Sequence, residues 1–175
     1  MNTQLTIRPI ESKDLLFVNR VRNTCKEFLH NQQEFSMQET IEWFVNKKPE
    51  WYMIDAQDVT LDGFALSRNS GTVGYIRTEK HGTGLQIGMD LDEQFRGKGL
   101  AKAAYKKFIS WAFDKGHSYL TLDVLASNTR AYTLYRSLGF TVNYDSLPVE
   151  IERGRERILS ITMDLTKEEW HERTA

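Results

Sequence analysis

The sequence predicts a mixed α/β fold, in which a sheet of about six to seven strands carries about four helices on its faces. The first observation is the order of the hydrophobic patterns. Runs typical of strands alternate with stretches of helical period, in the order β-α-α-β-β-β-α-β-α-β-β. The second observation is continuity, because the three prolines are scattered and no repeat divides the chain. We therefore expect a single domain over residues 1–175.

The composition is that of an ordinary soluble domain. The 175 residues are 40% hydrophobic and 27% charged with a net charge of −1, which disfavours a disordered chain and a basic nucleic-acid-binding domain. No apolar run approaches the roughly 18–20 residues of a membrane span. Residues 1–10 lack the pattern of a secretory signal. We therefore expect a cytoplasmic protein with no membrane or nucleic-acid partner.

Cysteine and histidine usage predicts neither a disulfide nor a metal site. The lone Cys25 cannot form an internal disulfide, and its place on the apolar side of a helix favours a core residue over a nucleophile. The four histidines show no metal-ligand spacing, so no metal is expected. They are His30, His81, His117 and His171.

The N-terminal third of the chain predicts a strand followed by two helices. Residues 5–9 alternate between apolar and polar side chains, as in a strand. Ser12 is interpreted as the N-cap of the first helix, and Ser36 with Glu39 forms a capping box for the second. Pro49 ends that helix. The two helical faces comprise Leu15, Val18, Arg22 and Cys25, then Met37, Ile41, Phe44 and Val45.

The middle of the chain predicts strands separated by short turns. The apolar or β-branched runs are Trp51–Ile54, Phe64–Ser67, Thr72–Thr78 and Leu85–Leu91. The turns between them are Asp62-Gly63, Asn69-Ser70-Gly71 and His81-Gly82.

The second half predicts two more helices with strands after each. Gly97–Lys115 has the strongest helical pattern, and Tyr119–Ala126 is a nearly continuous apolar strand. Asn128 caps the next helix, and Gly139 is well placed to end it. The last strands are predicted at Phe140–Tyr144 and Ile158–Leu165, with Glu150–Arg157 as an exposed turn.

The segment 94–101, Gln-Phe-Arg-Gly-Lys-Gly-Leu-Ala, joins a predicted strand to the longest helix and favours phosphate binding. Its two glycines allow a tight turn and the close approach of a ligand. The unpaired amides of the first helical turn point outward at the positive end of the helix dipole, and Arg96 and Lys98 add positive charge. The string is neither a Walker A loop nor the Rossmann fingerprint. Taken alone, it also fits a glycine-rich turn before an exposed basic helix.

A second string, Asn-x-x-Ala-x-x-Leu-Tyr-x-x-x-Gly-Phe, spans residues 128–140. Together the two segments resemble the pyrophosphate loop and the thiol-end helix of the GNAT superfamily of acyl-CoA-dependent N-acetyltransferases. The resemblance implies a mostly antiparallel sheet and direct transfer of an acetyl group from acetyl-CoA to a primary amine. It also implies that the pyrophosphate rests on the backbone amides of the loop. Here these are the amides of Arg96, Gly97, Lys98, Gly99, Leu100 and Ala101.

The resemblance further implies which groups surround the thioester. In the family the strand corresponding to Gln86–Leu91 splays from its neighbour, and an amide near Met89 or Leu91 would polarise the thioester carbonyl. Tyr135 would protonate the departing thiolate, and Asn128 would bond the pantetheine arm as well as cap its helix. From spacing alone, Tyr135 also fits a core tyrosine, and Asn128 fits an N-cap with no further role.

Several residues are candidates for the base that removes the proton from the attacking amine. Many relatives carry Glu near the position of Gln86, and an amide cannot accept this proton. Asp90 lies on the same side of the strand by alternation, if no bulge intervenes, so it is the first candidate. Each candidate also fits a solvated or structural residue. The other candidates are Glu34, Glu79, His81 and Asp123.

The acceptor is expected at residues 23–44 and 144–157, which correspond to the family's acceptor site. The first stretch resembles relatives that acetylate amino sugars on nucleotide carriers, so we predict a small amine such as an amino sugar. A protein or peptide N-terminal acetyltransferase and a non-catalytic acyl-CoA-binding module are the alternatives. Family members are often homodimers, but no residue pattern here identifies an interface.

Overall fold

The computed structural model describes residues 4–57, 60–61, 64–65 and 71–174, which form ten strands and five α-helices. The strands are β1 (Gln4–Pro9), β2 (Tyr52–Gln57), β3 (Thr60–Leu61), β4 (Phe64–Ala65), β5 (Gly71–His81), β6 (Gly84–Leu91), β7 (Tyr119–Leu125), β8 (Thr141–Val142), β9 (Val149–Arg153) and β10 (Glu156–Thr166). The helices are α1 (Leu15–Thr24), α2 (Met37–Lys47), α3 (Leu100–Asp114), α4 (Thr129–Leu138) and α5 (Lys167–Thr174).

Eight of the described strands form one sheet in the order β1-β2-β5-β6-β7-β10-β8, with β9 paired to β10. β6 and β7 run parallel, and α3 supplies the crossover that a parallel pair needs. Antiparallel pairs join β1 to β2, β2 to β5, and β10 to β7, β8 and β9. The prediction of a mixed, mostly antiparallel sheet with helices is therefore confirmed.

Two compact units divide the chain. The first comprises Met1–Glu27, Asn31–Thr78 and Met89–Ala104, and the second comprises Phe28–His30, Glu79–Gly88 and Tyr105–Ala175. β5, β6 and α3 contribute residues to both units. The single domain over residues 1–175 stays a prediction.

The first unit packs α1 against the β1-β2-β5 strands. Ile7 of β1 pairs with Ile54 of β2, and Met53 of β2 pairs with Tyr75 of β5. The register of β2 and β5 shifts between Ile54 and Asp55. Apolar residues from the helix and the strands fill this core, as the two periodicities predict. They are Leu5, Leu15, Val18, Val21, Met53, Ile54, Ala56, Val73 and Ile76.

The second unit is built on the β7–β10 pair. Leu122 of β7 pairs with Met163 of β10, and both side chains are buried. The sequence analysis did not predict α5. Trp170 of this helix is buried, and its indole N–H donates to Ser110 Oγ over 3.3 Å. The largest fully buried side chains of this unit are Tyr105, Phe108, Ile109, Phe113, Leu120, Leu122, Leu125 and Phe140.

Several helix ends lie where the local sequence patterns predict them. The Ser36–Glu39 capping box forms as predicted, with the Ser36 N–H 2.7 Å from Glu39 Oε2 and the Glu39 N–H 3.2 Å from Ser36 Oγ. α2 ends at Lys48, which takes the left-handed conformation at φ 46° directly before Pro49. Gly139 ends α4 at φ 107°. Each of these helix ends depends on residues that are close to it in the sequence.

The N-cap prediction at Ser12 was wrong. Ser12–Asp14 forms a 3-10 turn, and α1 begins at Leu15 with Asp14 as its N-cap. The Asp14 carboxylate accepts the Glu11 N–H over 2.8 Å and two bonds of 2.8 Å from the Arg8 guanidinium. A charge-assisted fork from β1 therefore holds this turn where a serine hydroxyl was expected.

The exposed turn predicted at Glu150–Arg157 was also wrong. β9 and β10 form a hairpin there, with Arg153 paired to Glu156 and Gly154 at φ 62° in the two-residue turn. β9 is mostly exposed and three of its five residues are charged, which favoured a polar turn. Its apolar residues, Val149 and Ile151, nevertheless alternate with Glu150 and Glu152 as in a strand. Cross-strand ion pairs link Arg157 to Glu150 and Glu152 over 3.3 and 3.8 Å.

Two of the predicted strands are shorter in the structure than the sequence indicates. β8 covers only Thr141–Val142 of the predicted Phe140–Tyr144. Of the predicted strand Phe64–Ser67, Phe64–Ala65 forms β4, and the rest lies outside the described residues together with the turn at Asp62-Gly63 and most of that at Asn69-Ser70-Gly71.

Candidate active site

In the first unit, the loop before α3 has the backbone expected of an anion cradle. Gly97 and Gly99 have φ of 78° and 77°, a region that favours glycine. A Cβ on Gly99 would meet no heavy atom within 4 Å, so the conformation and not crowding requires glycine there. The first bond of α3 runs from the Ala103 N–H to the Gly99 carbonyl over 3.2 Å. The amides of Leu100 and Ala101 therefore have no acceptor within the helix.

The two basic residues of this loop behave differently. Lys98 is exposed. The Arg96 guanidinium is half-buried and donates to the Leu91 carbonyl and to Cys25 Sγ, both over 3.0 Å, while the Arg96 N–H donates to the Glu93 carbonyl over 3.2 Å. Arg96 thus anchors the loop to the end of β6. The resemblance implied a pyrophosphate contact for the Arg96 amide, whereas in the structure this amide is bonded to the Glu93 carbonyl.

The Met89 amide lies on the side of β6 that faces away from β5. The Asp92 N–H donates to the Val73 carbonyl of β5 over 3.0 Å. Because successive residues of a strand turn their amides to opposite edges, Met89 and Leu91 direct theirs to the other edge. The Leu91 carbonyl supports this orientation, since it accepts hydrogen bonds from Cys25 Sγ and Arg96 Nε, which do not belong to β5.

In the second unit, β6 pairs with β7 in parallel at two positions. Leu85 pairs with Leu120 and Gln86 with Thr121, although β6 continues to Leu91 and β7 to Leu125.

Asp90 lies in a buried, charged environment of the first unit. Its carboxylate is 4% exposed and lies 3.1 Å from Arg77 Nε. The neighbouring Tyr75 is fully buried, and burial together with the Asp90 charge raises the pKa of its phenol well above the ordinary value of 10.0. The Trp51 ring stacks on Tyr75 with ring centroids 5.3 Å apart. Accepting a substrate proton would break the Arg77 ion pair.

Cys25 has the properties of a core thiol. It is 4% exposed, and burial raises the pKa of its thiol to about 11. Its Sγ donates to the Leu91 carbonyl over 3.6 Å and accepts from Arg96. A protonated thiol engaged in these bonds is a poor nucleophile, in agreement with its interpretation as a core residue.

Tyr135 is buried in the second unit between two aromatic rings. The Tyr105 ring meets it edge-on at 5.6 Å with the two hydroxyl oxygens 3.4 Å apart, and the Phe140 ring lies at 6.0 Å. Asn128 caps α4, since its side chain accepts the Ala131 N–H over 3.2 Å. Both residues thus have structural roles, and the further roles that the resemblance implies stay predictions.

A polar row in the second unit was recognised only in part from the sequence. The Asp123 carboxylate is exposed and accepts 2.7 Å bonds from Gln86 Nε2 and Thr162 Oγ1. Two residues along β10, Ser160 Oγ lies 2.6 Å from His30 Nε2. The register of three strands assembles this row, so no local pattern could have found it.

The other base candidates have structural or solvent-exposed environments. Glu34 forms an exposed ion pair with Lys26, and Glu79 is exposed. His81 Nδ1 lies 2.9 Å from the Tyr119 hydroxyl.

Among the described residues, no group of three or more His, Cys, Asp or Glu side chains could hold a metal ion. In the same part of the chain, no helix combines the length and the hydropathy that a membrane crossing needs.

Comparisons with known proteins agree with this geometry. The family model for an acetyltransferase (GNAT) domain matches residues 4–141. Human N-acetylaspartate synthetase is 37% identical over 70 residues, which are 40% of this chain and 23% of that protein. The chain therefore spans about a quarter of the length of the curated relatives it matches.

Two solved structures share the fold. The spermidine N-acetyltransferase of Vibrio cholerae, in complex with CoA and spermine, has a TM-score of 0.81 at 17% identity and covers 96% of this chain and 98% of that chain. The ribosomal-protein-alanine N-acetyltransferase of Brucella melitensis has a TM-score of 0.72 at 16% identity, covering 92% and 99%. At these identities the likeness concerns the fold alone.

Proposed function

Because the chain belongs to the GNAT family of acetyltransferases, we propose that it transfers an acetyl group from acetyl-CoA to a primary amine of a small molecule. The observation that carries the proposal is the start of α3. There, a loop with two glycines at positive φ precedes helical amides that have no acceptor within the helix. Such a helix start binds phosphate oxygens through its N–H groups and its dipole.

In this proposal the loop amides of residues 97–101 hold the pyrophosphate of acetyl-CoA. Lys98 adds a positive charge that reaches solvent, while Arg96 fixes the loop through the Leu91 carbonyl. Asn128 contributes to the pantetheine arm in addition to capping α4. Removing the Asn128 side chain would therefore reduce both helix stability and cofactor affinity.

The Met89 amide is the proposed donor to the thioester oxygen. Attack of a neutral amine forms a C–N bond and moves the carbonyl π electrons onto that oxygen, where an oriented N–H stabilises the charge. When the C–S bond breaks, Tyr135 gives its phenolic proton to the departing thiolate. Leu91 directs its amide to the same edge and is the alternative donor.

The proton of the amine needs an acceptor, and two carboxylates are candidates. Asp123 is exposed and oriented by Gln86 and Thr162, so it can take a proton directly or through water. Asp90 is 4% exposed and already paired with Arg77. These environments favour Asp123, with Asp90 as the alternative.

The class of acceptor is proposed as a small amine. One relative is named for making N-acetylaspartate and one structural neighbour for acetylating spermidine, so small amines are the first acceptors to test. The amino-sugar interpretation, the cytoplasmic location and a homodimer stay predictions. A protein N-terminus is the second candidate, because another neighbour is named for acetylating a ribosomal protein.

An acceptor screen tests the proposal. Purified protein is mixed with acetyl-CoA and with polyamines, amino acids, amino sugars or peptides, and the released CoA thiol is measured. We expect calorimetric binding of CoA and thiol release with at least one small amine. Thiol release with peptides alone would favour the protein-directed alternative. CoA binding without turnover on any acceptor would favour a binding module, and no CoA binding would contradict the proposal.

A further inference from the structure

Six side chains of the first unit form a cluster with an excess of positive charge, here called the arginine cluster. It comprises Arg22, Cys25, Tyr75, Arg77, Asp90 and Arg96. It contains three guanidinium groups and one carboxylate, that of Asp90, which is paired with Arg77. Cys25 and Tyr75 are neutral near pH 7 because burial raises the pKa of both groups. A guanidinium held in such a cluster without an anionic partner of its own favours the binding of an anion.

Two of the three arginines already have anionic or carbonyl partners. Arg77 is paired with Asp90, and Arg96 binds the Leu91 carbonyl and Cys25. The charge of Arg22 has no carboxylate partner among the described contacts. Its Nη2 donates to the Asn31 carbonyl over 2.7 Å, and its guanidinium lies 4.9 Å above the Phe35 ring. Neither partner carries a charge.

Arg22 also has a donor directed into the protein without an acceptor. Its Nη1 is shielded from solvent and forms no hydrogen bond. Burial is the main cause that lowers the pKa of this guanidinium, although it stays charged at neutral pH. A desolvated cationic donor without a partner is unfavourable, and a bound carboxylate that accepts from Nη1 would relieve it.

We propose that the arginine cluster is the part of the acceptor site that binds a carboxylate of the amine substrate, with Arg22 as its ligand. The proposal rests on the proposed function above, because Asp90 directly follows Met89, the proposed donor to the thioester. An anion held at this cluster therefore lies near the reacting end of acetyl-CoA. Arg22 is half-buried, so part of its side chain reaches solvent.

The test uses acceptors that differ by one charge. L-alanine is compared with L-alaninamide and L-aspartate with L-asparagine, and kcat/KM is measured by thiol release. We expect the more anionic member of at least one pair to be preferred. The variant Arg22→Gln should lower kcat/KM for that member about 10- to 100-fold, mainly through KM, and leave the counterpart with one carboxylate fewer unchanged.

Two further variants separate charge from structure. Arg22→Lys keeps the charge without the planar fork and should retain part of the preference. Arg136→Gln changes an exposed arginine of α4 and should leave the preference intact. Equal turnover of both members by the wild-type protein would overturn the proposal. So would an equal loss on both members in Arg22→Gln, which would indicate a structural role.

A binding measurement distinguishes failure of this subsite from failure of the proposed function. Succinate is titrated calorimetrically into the wild-type protein and Arg22→Gln, each saturated with CoA. Binding that weakens about tenfold or more in the variant supports the subsite, even if no acceptor in the panel releases thiol. Absence of succinate binding overturns the subsite, whatever the outcome of the acceptor screen. Weaker CoA binding by the variant would assign the anion to the cofactor and also overturn it.

Discussion

Gly99 and Gly116 offer a matched pair of substitutions that separates backbone strain from loss of ligand binding. Both have positive φ, 77° and 98°, and a Cβ at either would meet no heavy atom within 4 Å. Gly99 precedes the first turn of α3, whereas Gly116 follows the end of the same helix. Alanine at the two positions should therefore perturb stability alike and cofactor binding differently.

The expected magnitudes follow from the conformation. A left-handed conformation costs a residue with a Cβ about 1–2 kcal/mol, and alanine recovers about 0.4–1 kcal/mol by restricting the unfolded chain. Each variant should lose about 1 kcal/mol of unfolding free energy, or about 2–4 °C of melting temperature for a chain of this size. At Gly99 the new methyl group also enters the space proposed for the pyrophosphate. The loss of one charge-assisted bond there should raise the Kd for CoA about 10- to 100-fold.

Thermal unfolding and calorimetric titration of CoA measure the two effects. Gly116→Ala should bind CoA as the wild-type protein does, despite its lower melting temperature. Unchanged CoA affinity in Gly99→Ala would refute the pyrophosphate assignment. An equal loss of affinity in both variants would show that strain alone weakens binding and would refute the reasoning from position.

Three other predictions follow. Tyr135→Phe should bind CoA normally but lower kcat for thiol release about 100-fold or more, since it removes the proposed acid, and unchanged kcat would exclude that role. Asp123→Asn should leave CoA binding unchanged but lower kcat for thiol release about 100-fold or more, since it removes the proposed base, and finding this loss in Asp90→Asn instead would assign the base to Asp90. In Asp14, burial opposes ionisation, but the bonds from Arg8 and the Glu11 amide outweigh it and hold the pKa below 3.8. The stability that this carboxylate contributes is thus present above the ordinary pKa of 3.8 and is lost as pH falls through the lower folded-state pKa. The deficit of Asp14→Asn in chemical denaturation, about 1–3 kcal/mol at pH 7, should therefore shrink as pH falls below about 4. A constant deficit would contradict it.

Features that depend on neighbours in the chain could be predicted from the sequence. The capping box at Ser36, the left-handed turn at Gly139 and the glycine loop before α3 each require particular residues at fixed offsets. The same local reasoning failed at Ser12, because a guanidinium on β1 replaces the expected serine cap. It also missed the β9–β10 hairpin, because the charged residues that form its cross-strand pairs were interpreted as an exposed turn.

The environment of the site depends on contacts that no local pattern encodes. Asp123 meets Gln86 and Thr162 because three strands align in register, across sequence separations of 37 and 39 residues. The arginine cluster likewise joins the end of α1 to β5, β6 and the loop before α3. The sequence identified Asp90 as a carboxylate on the expected face of its strand, but its burial and the pairing with Arg77 depend on tertiary packing.

Arg96 shows how one side chain can connect the two halves of the proposed cofactor site. Its guanidinium binds the Leu91 carbonyl, two residues after the proposed thioester donor, while the glycine loop begins one residue after Arg96 itself. Its bond to Cys25 ties the same point to the end of α1. The loop proposed to hold the pyrophosphate and the strand proposed to polarise the thioester are thus fixed to each other within the first unit. Because acetyl transfer requires the thioester to be held in one geometry, a half-buried arginine that preserves this spacing would contribute more than a freely moving charge.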